Sequence, residues 1–178
     1  MRVHTKTLRW LSIAAVTAAT TTGGMSATVH AVEVSAPPSG ETRIKTFNGD
    51  IDMCIAVKGV TDDSDDGALA IQQPCSRAAN QKFTFVPASD GRYEIRTSAR
   101  KCLDVANASS DDRTPIIQYR CEGSANQKFR VESSSGAVRM RAFANKKCLD
   151  VKNNNEDPGA RIIQYKCLNQ RNQQFRFA

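Results

Sequence analysis

Histidine and tryptophan are nearly missing from this 178-residue chain: His4, His30 and Trp10 are the only examples, and all three lie before residue 32. From residue 32 onward no imidazole exists. That removes the commonest general base, the Ser-His-Asp and Cys-His nucleophile systems, and most zinc sites. Any enzymatic reading must therefore rest on carboxylates, lysine or tyrosine. Aromatic residues make up only 6% of the chain, and no stretch approaches the roughly 20 consecutive apolar residues that a membrane-spanning helix needs. No single sign of charge dominates either, with 25 basic against 18 acidic residues. The basic residues are interspersed with acids, and the densest group, Lys146, Lys147 and Lys152, flanks Asp150. No stripe suited to a nucleic-acid backbone results, so nucleic acid is not an expected partner.

The N-terminal segment reads as a processing signal. A basic stretch with Arg2, Lys6 and Arg9 precedes an apolar run from Trp10 to about Ala19, and Val29-His30-Ala31 has the small-x-small pattern of a signal-peptidase site. Residues 1–31 are therefore expected to be a signal peptide and 32–42 a short flexible linker, with an extracellular product. Loss of the three N-terminal basic residues leaves 22 basic against 18 acidic residues, a mild net charge of +4 in place of +7. All six cysteines fall after the cut. An even count in an exported chain points to a disulfide framework, where the same count in a cytosolic enzyme would suggest metal ligands or redox chemistry.

One unit is present three times. Asn80-Gln81-Lys82-Phe83, Asn126-Gln127-Lys128-Phe129 and Asn172-Gln173-Gln174-Phe175 recur every 46 residues. Each is preceded by a cysteine strand (Cys54-Ile55-Ala56-Val57, Cys102-Leu103-Asp104-Val105, Cys148-Leu149-Asp150-Val151) and by a second cysteine five residues before the Asn. Repeat symmetry selects one of the 15 possible pairings: Cys54 with Cys75, Cys102 with Cys121 and Cys148 with Cys167. Each such loop closure contributes about 3 kcal/mol by loop-entropy reasoning. Runs of β-branched or alternating residues, such as Tyr93–Thr97 and Ile116–Tyr119, are separated by turn-forming clusters such as Asn107–Asp112 and Asn153–Gly159. About four short strands per unit follow, in repeats of about 43–88, 91–134 and 137–178. Three such units suit an all-β trefoil of about 12 strands better than a solenoid, which would leave open sheet edges.

These residues resemble the ricin B-type lectin family, also seen as family 13-like carbohydrate-binding modules attached to xylanases, whose repeats carry a Gln-x-Trp signature. Phe83, Phe129 and Phe175 stand here where the family has tryptophan, and the resemblance implies that they fill the trefoil core. It implies a sugar pocket made of an aspartate after the first cysteine, an aromatic two residues before the second, and the Asn of the Asn-Gln pair. Those positions are Asp104, Tyr119 and Asn126 in repeat two, and Asp150, Tyr165 and Asn172 in repeat three. Gln127 and Gln173 are assigned to the same sites as orienters of the aspartate or as turn-fixing residues. A carboxylate accepts from two neighbouring hydroxyls, an amide both donates and accepts, and a ring covers the apolar face of a pyranose. Repeat one carries Ala56 and Gln73 at two of the three positions and keeps only Asn80, so its site is read as lost.

The expectation is a secreted, non-catalytic, monomeric lectin for galactose- or xylose-type glycans on a polysaccharide or glycoprotein, with no metal and no cofactor. A trefoil that binds protein, as an inhibitor or toxin accessory subunit with vestigial sugar sites, remains open. So does a purely structural role in which Asp104 and Asp150 cap turns. The acidic run Asp62-Asp63-Ser64-Asp65-Asp66-Gly67 has the start of a calcium loop, but its twelfth position is Gln73 instead of a bidentate glutamate, which favours a solvated hairpin loop. Asn107-Ala108-Ser109 is a glycosylation sequon if the host is a eukaryote. A glycosidase would need two carboxyls about 5–10 Å apart, and Asp104 and Asp150 belong to different repeats.

Overall fold

The computed structural model describes residues 36–47, 52–59, 66–134 and 136–178. The segment read as a signal peptide lies outside them, as do Asp62, Asp63, Ser64 and Asp65 of the acidic run. Repeat one contributes β1 (Glu41–Thr42), β2 (Ile44–Thr46), the hairpin of β3 (Met53–Val57) and β4 (Ala70–Pro74), and β5 (Phe83–Ala88). Repeat two contributes β6 (Arg92–Thr97), the hairpin of β7 (Cys102–Val105) and β8 (Ile116–Tyr119), and β9 (Lys128–Ser134). Repeat three contributes β10 (Ala137–Ala142), the hairpin of β11 (Cys148–Val151) and β12 (Ile162–Tyr165), and β13 (Phe175–Phe177). Short 3₁₀ turns connect them, and the all-β architecture agrees with the sequence reading.

The outer strands of each repeat close a barrel. The antiparallel order runs β1, β5, β6, β9, β10, β13, β2, and β1 and β2 are the two halves of one broken strand. The break falls at Arg43, which exchanges backbone hydrogen bonds with Ala178 at 3.0 and 3.1 Å. On one side of it the chain pairs with β5 and on the other with β13. This break accounts for 13 strands among the described residues where 12 were expected. Closure in this way leaves the barrel without a free edge.

The three hairpins cap the barrel and touch one another through isolated bridges at Leu69 and Ile117, Pro115 and Ile163, and Arg161 and Ile71. Two buried glutamines reinforce these junctions. Gln72 donates both amide hydrogens to the backbone oxygens of Asn155 (2.8 Å) and Asp157 (3.0 Å) in repeat three. Gln164 donates to those of Ser109 and Asp111 in repeat two, both at 2.8 Å. Repeats one and three are each thereby fastened to the loop of a neighbour by an amide whose donors are both satisfied, which is the condition for burying it.

Period-two alternation explains what each strand buries. In β9, Phe129 and Val131 point inward while Lys128 and Arg130 are only partly covered. All four residues of β7 and of β11 are buried, because both faces are occupied. Leu103, Val105, Leu149 and Val151 enter the core, and the opposite face carries Cys102 with Asp104, or Cys148 with Asp150. The core holds Phe83, Phe129 and Phe175, none more than 1% exposed, as the resemblance implied. The three disulfides form in the expected pairing, Cys54–Cys75, Cys102–Cys121 and Cys148–Cys167.

Candidate functional site

Each hairpin carries its site residues in register. In repeat two, Cys102 pairs with Tyr119 and Asp104 with Ile117. In repeat three, Cys148 pairs with Tyr165 and Asp150 with Ile163. The Asn-Gln pair arrives from the 3₁₀ turn that follows, Ala125–Gln127 or Arg171–Gln173. Asp104, Tyr119 and Asn126 thus line one hollow of about 290 Å³, and Asp150, Tyr165 and Asn172 line another of about 320 Å³. Either volume is that of about ten waters. Gln127 and Gln173 line neither hollow; they are fully buried beneath it.

From there the glutamines hold the aspartates. Gln127 Nε2 donates to Asp104 Oδ2 at 2.8 Å and to the Arg120 carbonyl at 2.8 Å, while its Oε1 accepts from Glu122 N at 2.7 Å. Gln173 repeats the pattern with Asp150 Oδ2 (2.8 Å), the Lys166 carbonyl (2.9 Å) and Leu168 N (2.6 Å). Asn126 Nδ2 adds a bond to Asp104 Oδ2 at 2.9 Å. Asn172 Nδ2 donates to the Val151 carbonyl at 3.2 Å, and its Oδ1 has no partner among the described residues. Oδ1 of each aspartate accepts nothing from the described residues and remains available to a ligand hydroxyl.

Burial dominates the electrostatics. Asp150 is 3% exposed, and desolvation pushes its carboxyl up to about 6, against the opposing hydrogen bond from Gln173 and the pull of the nearby Asn172 amide. Asp104 is raised by the same cause, opposed by Gln127 and Asn126, with a smaller upward push from Glu122. Repeat one lacks this chemistry but keeps the frame. Gln81 Oε1 accepts from Ser76 N (2.7 Å) and its Nε2 donates to the Pro74 carbonyl (2.9 Å), as its counterparts do. Asn80 Nδ2 still reaches the Val57 carbonyl at 3.1 Å. Ala56 presents no acceptor there, and Gln73 is exposed where the other repeats place tyrosine.

Neighbouring loops add contacts that motif reading passed over. Asp66 accepts from Lys101 Nζ and Arg120 N, both at 2.9 Å, which holds its carboxyl below the usual range and ties the acidic loop to repeat two. Asp112 is held the same way by Lys147 and by Lys166 N, tying repeat two to repeat three. Arg113, on that same loop, lines the third-repeat hollow. The 46-residue spacing could have found it, since it stands where repeats one and three have Gly67 and Gly159. The one cluster of potential metal ligands among the described residues, Glu94 with Cys102 and Cys121, includes a formed disulfide whose sulfurs are not thiolates.

Over residues 40–175 the chain matches the ricin-type beta-trefoil lectin domain. No curated protein matches it. Among solved structures it is similar to the designed threefold-symmetric protein ThreeFoil, at 32% identity and a TM-score of 0.72, over 78% of this chain and 97% of that one. It is also similar to the Rhizoctonia solani agglutinin (14%, 0.69, 80% and 96%) and to the C-terminal half of an earthworm R-type lectin in complex with GalNAc (17%, 0.56, 79% and 98%). The last two likenesses concern the fold alone.

Proposed function

The chain belongs to the ricin-type β-trefoil lectin family, and on that footing we propose that it is an extracellular protein that binds carbohydrate at two sites without altering it. Asp104, Tyr119 and Asn126 make one site; Asp150, Tyr165 and Asn172 make the other. A single observation carries this reading: the scaffold bonds of Gln81, Gln127 and Gln173 are the same in all three repeats, while a buried carboxylate and a rim tyrosine occur together in two. A merely structural aspartate would be required wherever the scaffold is, and repeat one does without it.

In each site the glutamine fixes the carboxylate, whose free oxygen accepts hydroxyl hydrogens from a sugar. The Asn amide supplies the complementary contact, and the tyrosine ring lies against the C–H face. No imidazole is present from residue 32 onward, and Leu168 stands in the third-repeat hollow where the second has Glu122, so a carboxylate pair is not common to the two sites. Binding without hydrolysis fits these residues. A few hydrogen bonds, each contributing about 0.5–1.5 kcal/mol net, make either site weak. Two sites on one rigid body can raise affinity for a polymeric glycan by about 10²- to 10⁴-fold. Three disulfides suit an oxidising compartment, and residues 1–31 supply the export signal. The earthworm lectin half binds GalNAc, which puts galactose-type glycans first among ligands to try and xylose-type second.

A glycan array with the processed protein, run beside Asp104→Ala/Asp150→Ala, tests the proposal. Binding that disappears in the folded double variant supports it; full binding retained by that variant overturns the site assignment. A blank array from folded protein would favour a protein ligand instead.

A further inference from the structure

The two proposed sites are not equivalent, and the difference lies at one turn position. Gly67, Arg113 and Gly159 are related by the 46-residue spacing, and their backbone N–H groups donate to the carbonyls of Gln118, Gln164 and Gln72 at 2.8, 2.8 and 2.7 Å. All three have left-handed backbone, with φ of 93°, 69° and 89°. Glycine adopts that conformation without strain; an arginine does not. The exception is also the one whose side chain reaches a site. Arg113 is exposed, lines the third-repeat hollow with Asp150, Tyr165 and Asn172, and has no ion-pair partner among the described residues. Arg100 and Lys146 hold the same backbone at other turns, with φ of 59° and 61°, so what marks Arg113 is its place: a long, unpaired cation at the rim of a pocket, where both equivalent turns have glycine.

The remaining differences point the same way. Where the third hollow has Leu168 and Gln170, the second has Glu122 and Ser124. Glu122 forms an ion pair with Arg120 at 2.9 Å, and its carboxylate stands at the second site with no counterpart at the third. The cations stacked near the tyrosine rings do not distinguish the sites, since Arg120 lies near Tyr119 and Lys166 near Tyr165. Position 113 and position 122 therefore set opposite local charge at two otherwise similar pockets.

We propose that the third-repeat site takes a carboxylate-bearing glycan, with the Arg113 guanidinium forking onto the sugar carboxylate while Asp150, Tyr165 and Asn172 hold the ring. The second-repeat site takes a neutral sugar. This rests on the two-site reading above. The planar fork of five donors matches the two charged oxygens of a carboxylate and distinguishes it from a hydroxymethyl group, which offers one neutral oxygen. The carboxylate belongs either to the bound ring, as in a uronic acid, or to an adjoining sialic acid.

The test uses the full processed protein carrying Asp104→Ala, which leaves the third site as the one proposed binder, and calorimetric or NMR titration at low salt. Galacturonate is compared with galactose, glucuronate with xylose, and sialyllactose with lactose. The expected result is at least fivefold tighter binding of an acidic member: of a uronate if the carboxylate is on the held ring, of sialyllactose if it is on the neighbour. That preference should fall to about onefold in Asp104→Ala/Arg113→Gly, a substitution that restores the residue found at the two equivalent turns. Equal affinity for acidic and neutral members, or a preference that survives Arg113→Gly, overturns the assignment of Arg113 but leaves the sugar site standing. Binding that persists in Asp104→Ala/Asp150→Ala overturns the site reading itself.

Discussion

Repeat one and repeats two and three share nearly everything that folds the chain: the disulfide, the buried Phe, the Asn-Gln turn and the two backbone-directed bonds of the glutamine. They part at Ala56 and Gln73 against Asp104 with Tyr119 and Asp150 with Tyr165. Frame and proposed ligand chemistry are therefore separate layers in this trefoil. The buried carboxylate is a cost to the fold that only repeats two and three carry, which is the thermodynamic sign of a group retained for something other than stability.

The largest effect should come from breaking the shared frame where it also carries a carboxylate. Gln173→Ala strands Leu168 N, the Lys166 carbonyl and Asp150 together, and is expected to destabilise by about 3–5 kcal/mol in urea unfolding. Gln81→Ala strands two backbone groups and no carboxylate, so its loss should be smaller, about 2–3 kcal/mol. Equal losses would mean that the contact between Gln173 and Asp150 contributes nothing. Next in size, Asp150→Asn keeps an acceptor for Gln173 without the charge. The Asp150 carboxyl titrates near 6 in the folded protein against an ordinary 3.8, so between those values the folded state holds the extra proton. Wild-type stability then falls as pH rises from about 4 to 6, and at pH 7 Asp150→Asn should be more stable by about 2–3 kcal/mol, an advantage that vanishes near pH 4.

Binding should follow the same titration with the opposite consequence. The sugar needs the ionised acceptor, so affinity at the third-repeat site should fall about tenfold between pH 7 and 5. The second-repeat site, where Asn126 adds a donor to Asp104 Oδ2, should lose less over the same range, which pH-dependent titration of the single-site variants will show. The smallest effect is a gain. Ala56→Asp with Gln73→Tyr puts the missing carboxylate above Gln81, and sugar stoichiometry should rise from two to three, with a weak third site and a modest loss of stability.

Much of the frame was legible in the chain because it is local. Spacing of the Cys, Asn-Gln and Phe positions gave the repeats and the disulfide pairing, alternation gave the strands, and the core aromatics followed from the family resemblance. What crosses between repeats was not legible. The break at Arg43 depends on the arrival of Ala178, and the latches made by Gln72 and Gln164 depend on which loop packs over which hairpin. Arg113 belongs to repeat two by sequence and to the third-repeat hollow by contact. Gln127 and Gln173 could be read as orienters or as turn-fixing residues, and each amide bonds both its aspartate and the turn backbone, having enough donors and acceptors for the two sets of contacts.

The most direct test of the account is an NMR titration of the labelled processed protein with a galactose-type and a xylose-type disaccharide. The account predicts saturable shifts clustered at Asp104, Tyr119 and Asn126 and at Asp150, Tyr165 and Asn172, with the backbone around Ala56, Gln73 and Asn80 unmoved. Shifts at the repeat-one hairpin, or saturable shifts confined to residues away from all three hairpins, would contradict it.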